Sequence, residues 1–192
     1  IEDYSPEKNG LARFLNALDS TDHKHVRIAF YGDSFIEGDI VTEDLREGLQ
    51  DKYGGRGVGS VPSSTVLAGY RKSVLIYSSG INTHWLVDSS VIRREAGIAG
   101  SYYYPAEGAS TNYIGSTFRK HIDTFSTVRL LCQNKHQNTT VSYSINRKER
   151  GNVELSKENS VGIAEIKGNI GRIWLSYPSG SSLKLYGALL DG

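Results

Sequence analysis

The N-terminal part of the chain combines helical and strand-like spacing of its apolar residues. Val26–Tyr31 is a short run rich in β-branched and aromatic side chains, which predicts a strand followed by a glycine turn. A helix is predicted to begin at Thr42 and to end at Gly54. An earlier helix, opened by a Ser-Pro pair, is predicted where apolar residues recur at helical spacing: Leu11, Phe14, Leu15 and Leu18. Strand, turn and helix in this order are typical of the start of an α/β unit.

After Gly59 the helical spacing fades, and short β-rich runs alternate with clusters of Gly, Ser and Asn. Such runs, with polar turns and no helices between them, predict an antiparallel β-sandwich of jelly-roll type. Turns are expected at residues 78–80, 134–138, 148–152 and 178–180. The predicted strands are Ser73–Tyr77, Thr83–Val87, Gly97–Tyr104, Thr111–Phe118, Thr127–Cys132, Thr140–Ile145, Val161–Ile166, Arg172–Ser176 and Leu183–Leu189.

The predicted fold class is therefore α+β as a whole, and mostly β. Residues 1–60 are expected to form part of an α/β domain, and residues 61–192 the antiparallel β-sandwich. The boundary is placed near Gly59–Ser64, where the composition changes.

The composition of the chain argues against several classes of protein. The 192 residues carry a formal net charge of +1, whereas a dedicated nucleic-acid-binding protein would show a strongly basic face. No apolar run approaches the ~18 residues that a membrane-spanning helix needs. The single cysteine, Cys132, excludes an internal disulfide, and no Cys/His spacing is typical of a zinc site. We therefore expect no metal, cofactor, nucleic-acid partner or membrane span, and nothing in the sequence indicates an oligomeric state.

The tripeptide Gly32-Asp33-Ser34, at the end of the predicted strand, is the first candidate for chemistry. Ligands of open α/β sheets bind at the carboxyl ends of strands, so Ser34 is expected to lie where ligands bind. Its hydroxyl would be exposed and its backbone amide free to stabilise an oxyanion. Gly32 permits a tight bend, and Asp33 can accept hydrogen bonds from the amides of the turn. The tripeptide alone favours an ordinary surface turn.

The longer context, from Phe30-Tyr31-Gly32-Asp33-Ser34-Phe35-Ile36-Glu37-Gly38 to Tyr53-Gly54-Gly55-Arg56-Gly57-Val58-Gly59, resembles the first block of the SGNH (GDSL-like) hydrolase family. It is most similar to the branch of bacterial cell-envelope carbohydrate and peptidoglycan O-acetylesterases, and the motif-level resemblance covers roughly residues 11–70. In that branch a β-sandwich similar to carbohydrate-binding modules is inserted soon after the first block. The resemblance implies a flavodoxin-like N-terminal unit, with Ser34 as the nucleophile and its amide as one oxyanion donor.

The family's remaining catalytic groups have no convincing match in the chain. The Asp-x-x-His of the family has one formal counterpart, Asp22-His23-Lys24-His25. His25 lies at the start of the predicted strand whose far end leads to Ser34, so the two side chains are expected ~20 Å apart, which excludes proton transfer. We therefore expect the base, its Asp partner and the other oxyanion donors to lie beyond Gly192, and the 192-residue chain to be truncated and inactive alone.

Aromatic residues of the β-rich part form a second candidate site. In a strand, Tyr102 and Tyr104 lie on one face and Tyr103 on the other. Amphipathic rings that keep a hydroxyl in water suit stacking on sugars, so these two tyrosines, with His84 and Trp85, are candidate carbohydrate-binding residues. Packing in an ordinary sandwich explains the same pattern.

Together these observations predict part of a serine esterase that hydrolyses O-acyl esters, in particular O-acetyl esters, on a carbohydrate or cell-wall polymer. The expected partner is a polysaccharide or acylated glycan, and the expected location is the periplasm, the cell surface or the medium of a bacterium. The alternative is a non-catalytic glycan-binding or adhesion module. A structural role in the envelope is a third interpretation.

Overall fold

The computed structural model describes residues 4–21, 23–88, 95–97, 99–178 and 182–192. The chain divides into two compact units, Ile1–Gly55 and Arg56–Gly192. The described part of the first unit contains three helices: α1 (Ala12–Leu18), α2 (Ser34–Glu37) and α3 (Thr42–Tyr53). Within the described ranges, no helix is both long and apolar enough to span a bilayer. The assignment of residues 1–60 to a hydrolase domain and of 61–192 to an inserted module stays a prediction.

The predicted strand Val26–Tyr31 does not form, and the α/β fold class predicted for the N-terminal part is therefore wrong. The segment has no regular structure, and Phe30 is 44% exposed. A strand is stabilised by hydrogen bonds to a neighbouring strand, and the described residues of this unit contain none to pair with. The described residues form no flavodoxin-like unit, and they are mostly antiparallel β with few helices.

The second unit is a nine-stranded antiparallel sheet, which confirms the β character predicted after Gly59. The strands are β1 (Gly57–Val61), β2 (Val74–Trp85), β3 (Ser101–Gly115), β4 (Phe125–Asn134), β5 (Thr139–Ile145), β6 (Glu149–Leu155), β7 (Glu158–Ile170), β8 (Arg172–Ser176) and β9 (Leu183–Asp191). The strand order is β6-β5-β8-β3-β9-β4-β7, with β1 paired to β9 and β2 paired to β3. The turns predicted at 78–80 and 148–152 are wrong, because residues 78–80 lie within β2 and Glu149 begins β6. The turn predicted at 178–180 lies mostly outside the described residues.

The apolar core lies between two halves of this sheet. Buried apolar residues from all nine strands form one cluster, in which Tyr103 and Tyr113 are almost fully buried. The Tyr113 hydroxyl donates a hydrogen bond to the Pro62 carbonyl over 3.1 Å, which satisfies a polar group inside the core. Burial raises the pKa of Tyr113 well above its ordinary value, so this phenol stays neutral.

The longest strand pair, β2 with β3, belongs to both halves of the sheet because it changes register at Gly80. The pairing shifts between Ser79 and Ile81, and Gly80 has a φ of +66°. A Cβ atom there would lie 3.2 Å from the Cα of Ala109, so the close approach of the two backbones requires glycine. Before this point β3 pairs with β9, and after it with β8. The two outer surfaces described below lie on either side of this irregularity.

Cys132 is buried in β4, and we expect it to be unreactive in the folded protein. Burial and the nearby Glu158 carboxylate raise the pKa of its thiol to about 11. At pH 8 roughly one thiol in a thousand would then be ionised, and the thiolate is the reactive form. We expect no labelling by dithionitrobenzoate within minutes, and one equivalent in guanidinium. Rapid labelling without denaturant would show that β4 opens or that the thiol is accessible.

Candidate functional site

The predicted nucleophile, Ser34, is exposed and is the first residue of α2. Asp33 is extended, and its carboxylate accepts a hydrogen bond from the Phe35 amide at 3.0 Å, which caps the helix. A Cβ on residue 32 would lie 2.7 Å from the Ile36 side chain, so Gly32 lets the helix begin this close to the preceding segment. The turn therefore exists, but it follows an irregular segment and not the end of a strand as predicted.

The exclusion of His25 as a base for Ser34 depended on that strand. Because residues 25–32 have no regular structure, the extended-chain distance no longer supports the exclusion. Asp22, the acidic member of the same Asp-x-x-His, lies outside the described residues. The roles predicted for Gly32, Asp33 and Ser34 in catalysis stay predictions.

A buried carboxylate stabilises the connection between α2 and α3, and sequence reasoning missed it. Asp39 is 1% exposed and has a φ of +66°. It accepts a hydrogen bond from the Thr42 hydroxyl and pairs with the Arg46 guanidinium, both on α3. Thr42 and Arg46 follow Asp39 by three and seven residues, and this spacing is a sequence signal for a capped helix start.

Three of the four predicted carbohydrate-binding residues lie together on the outer face of β2 and β3. His84 and Tyr102 are directly opposite each other in the pairing of the two strands, and their rings are stacked, with centroids 4.9 Å apart and an interplanar angle of 7°. The Tyr104 ring meets both edge-on, at 5.6 Å from His84 and 5.7 Å from Tyr102. We call His84, Tyr102 and Tyr104 the ring cluster.

The fourth predicted residue, Trp85, is not part of the ring cluster. It follows His84 in β2, so its side chain points to the other face of the sheet, on the side of Tyr103. Its indole is 36% exposed and is opposite Ser101. The prediction that both His84 and Trp85 line one sugar site therefore does not fit the register of β2.

A buried lysine lies under the ring cluster, and sequence reasoning missed it. Lys184 of β9 is 4% exposed, and its Nζ lies 4.4 Å from the centroid of the Tyr102 ring and 5.5 Å from that of Tyr104. Nζ also donates to the Glu95 carboxylate at 2.7 Å. Glu95 and Lys184 are 89 positions apart, so their contact could not be predicted from local sequence. The one usable signal is the alternation in β9, where Leu183 and Leu185 lie in the core and Lys184 between them must lie outside the core.

The charge of Lys184 sets the electrostatics of the cluster. Burial opposes that charge, but hydrogen bonds with Glu95 and Tyr104 outweigh it, and the pKa of Lys184 lies above its ordinary value. Burial also raises the pKa of the neighbouring Tyr186, although Lys184 opposes the effect. At neutral pH Lys184 is therefore an ammonium group paired with the Glu95 carboxylate, and the Tyr186 phenol is neutral.

This arrangement is suited to holding a sugar without chemistry. His84 and Tyr104 are half-buried, so ring surface remains open to solvent, and Lys184 fixes the rings from below. Aromatic faces bind the C–H face of a sugar, and the phenol hydroxyls can bond to sugar hydroxyls. Among the described residues, no group of three or more His, Cys, Asp or Glu side chains could hold a metal ion.

Comparison with solved structures gives a likeness that covers nearly all of the chain. A peptidoglycan O-acetylesterase superimposes with a TM-score of 0.67 at 16% identity, over 94% of this chain. The chain spans about half, 47%, of the length of that protein. At this identity the likeness establishes a shared fold.

Carbohydrate-binding modules match more weakly. A family 29 module matches with a TM-score of 0.42 at 11% identity, over 71% of this chain and 87% of that chain. The module CsCBM6-3 from Clostridium stercorarium, in complex with cellobiose, gives 0.39 at 14% identity, over 60% of this chain and 84% of that chain. At these TM-scores the similarity to carbohydrate-binding modules supports no conclusion about this chain. No family model and no curated protein match the chain. What is established is the fold that this chain shares with part of an O-acetylesterase.

Proposed function

We propose that this chain is part of a serine esterase that hydrolyses O-acyl esters, in particular O-acetyl esters, on a carbohydrate or cell-wall polymer of the bacterial envelope. The observation that carries the proposal is the likeness to a peptidoglycan O-acetylesterase over 94% of the chain. Ser34 is the proposed nucleophile, and its backbone amide one donor to the oxyanion. Because this chain spans only 47% of the similar esterase, the proton acceptor is proposed to lie in a part of such a protein that these 192 residues do not include.

The mechanism requires Ser34 to lose its proton as it attacks the acyl carbonyl. The hydroxyl oxygen forms the new bond to carbon, a base takes the proton, and the sugar oxygen leaves with a proton as the ester bond breaks. Water then hydrolyses the acyl-serine in the same way. For the first step the structure provides the exposed Ser34 hydroxyl at the start of α2, which the Asp33 carboxylate caps. The segment before this turn is irregular and is not a strand.

A fluorophosphonate probe tests the assignment of Ser34, because it reacts with activated serines and not with ordinary ones. In a longer gene product that supplies the base, we expect one labelled peptide, containing Ser34. In the 192-residue chain we expect no labelling. Labelling of another serine would contradict the assignment.

The second candidate function is glycan binding without catalysis, and the ring cluster favours it. Half-buried aromatic rings fixed by a buried ammonium group form a rigid surface of the kind that binds sugars. This function needs neither Ser34 nor a base. Both candidates share a glycan as the ligand, and they differ in whether an ester bond is broken.

Tyr104→Ala is expected to weaken glycan binding by the ring cluster. The change removes a half-buried ring while Tyr102 keeps its stack on His84, so the fold should be preserved. Loss of one stacking ring corresponds to a dissociation constant roughly five- to tenfold larger. Titration calorimetry with peptidoglycan fragments measures it. Ile163→Ala, at a residue that is 63% exposed on β7, is the control. Equal affinity of Tyr104→Ala and the parent chain would exclude the ring cluster.

A further inference from the structure

A second set of aromatic side chains lies on the outer face of the other half of the sheet. The pairing register places Tyr77 of β2, Asn112 of β3 and Trp174 of β8 in one row across three neighbouring strands. Tyr77 is 51% exposed and Trp174 is 43% exposed, with the buried Asn112 between them. At ~4.8 Å between strands, the two aromatic residues are ~10 Å apart, about the length of a disaccharide.

The neighbouring row on the same face is made of hydroxyl and amide groups. Residues two positions along each strand point to the same side, so this row borders the two aromatic residues. The Ser142 hydroxyl donates to the Asn152 side chain at 2.8 Å. We call the row of Tyr77, Asn112 and Trp174 the aromatic row, and this neighbouring row the serine row. The members of the serine row, one from each of β2, β3, β8, β5 and β6, are Ser79, Ser110, Ser176, Ser142 and Asn152.

An arginine on the opposite side of the aromatic row adds a fixed donor group. The Arg172 Nε donates to the Asn112 side-chain oxygen at 3.0 Å, which holds the guanidinium beside the row. The amides of Gly171 and Arg172 both donate to the Asn146 side chain at 3.0 Å, so the start of β8 is held as well. No carboxylate lies in the aromatic row or in the serine row.

We propose that this face, defined by Tyr77, Trp174, Asn112, Arg172 and the serine row, is a second glycan-binding surface. It takes an extended polysaccharide laid across the strands. The two rings stack against sugars about one disaccharide repeat apart, and the hydroxyl and amide rows bond to sugar hydroxyls. Two separated rings bordered by hydrogen-bonding groups fit an amphipathic sugar chain better than a protein partner, which would bury a continuous apolar centre. The site uses neither Ser34 nor the ring cluster.

The chain contains two tryptophans, Trp85 and Trp174, which allows a direct test. In Trp85→Phe, Trp174 is the single tryptophan, and its fluorescence is followed during titration with cellohexaose, chitohexaose and xylohexaose. We expect a saturable change with at least one hexaose. Trp174→Ala and Tyr77→Ala should each raise the dissociation constant roughly five- to tenfold in calorimetry, whereas Trp174→Phe should retain most of the affinity. If Trp85→Phe fails to fold, the difference between the parent chain and Trp174→Phe gives the same signal.

Tyr104→Ala separates this surface from the ring cluster. If it removes all binding while Tyr77→Ala has no effect, the second surface is excluded and the ring cluster is supported. If Tyr77→Ala weakens binding and Tyr104→Ala does not, the second surface stands even where the ring cluster fails. A Trp174 signal that depends on protein concentration without any glycan would identify a second copy of the chain as the occupant and overturn the proposal. The absence of a change with all three hexaoses, in a folded protein, would also overturn it.

Discussion

Ser34→Ala is expected to reduce ester turnover roughly 10⁴- to 10⁶-fold in a longer gene product that contains this chain and the proposed base, because it removes the nucleophile. The helix start should be unaffected, since the cap comes from the Asp33 carboxylate and the residue 34 backbone amide remains. Initial rates of p-nitrophenyl acetate hydrolysis measure the effect. A glycan that carries O-acetyl groups, assayed by acetate release, should give the same loss.

The control for this prediction is another exposed serine of the same unit. Ser20 donates its hydroxyl to the Asn16 carbonyl at 3.0 Å, and Ser20→Ala should leave the rate unchanged. The 192-residue chain is expected to show no turnover above its own Ser34→Ala variant. Turnover by this chain that Ser34→Ala abolishes would show that it contains its own base. Full activity of Ser34→Ala in the longer product would contradict the assignment of the nucleophile.

Gly187→Ala is expected to destabilise the β unit by about 3 kcal/mol or more. Gly187 in β9 has a φ of +117°, and a Cβ there would lie 2.4 Å from the Val61 carbonyl oxygen. Both the left-handed backbone and the contact with β1 would have to change, and β9 also pairs with β4 at this position. Denaturation by guanidinium, followed by far-ultraviolet circular dichroism, gives the free energy of unfolding.

Gly108 provides the matched control for Gly187. It too has a left-handed φ, of +69°, but a Cβ there would contact nothing within 4 Å. Gly108→Ala should therefore cost only the backbone strain, about 1 kcal/mol. Equal losses at the two positions would show that the contact with Val61 has no role.

The β-rich part of the fold could be predicted because its strands alternate between core and solvent. The predicted Arg172–Ser176 matches β8, and alternation there puts Ile173 and Leu175 in the core. The strand Val26–Tyr31 was predicted from composition alone, and composition does not supply the neighbouring strand that it needs. The β6 strand was missed because Lys148–Asn152 is polar and charged, which is typical of a turn and equally of an exposed strand.

The candidate sites were predictable only where their residues are close in sequence. Tyr102 and Tyr104 share a face in any strand, so their proximity follows from alternation. Lys184 reaches them because β9 pairs with β3, which the local sequence does not encode. The row of Tyr77 and Trp174 likewise depends on the order of three strands, and no local spacing relates these two residues.

The register shift at Gly80 holds the two surfaces of this unit at a fixed distance from each other, which affects how a long ligand would bind. The same two strands, β2 and β3, carry His84, Tyr102 and Tyr104 on one side of it and Tyr77 with Asn112 on the other. Both proposed glycan surfaces are thus parts of one hydrogen-bonded ladder, and their separation is fixed by covalent and hydrogen-bonded structure instead of by a linker. A polymer long enough to reach both would gain avidity that an oligosaccharide cannot. Affinity should then rise steeply with the degree of polymerisation of the glycan.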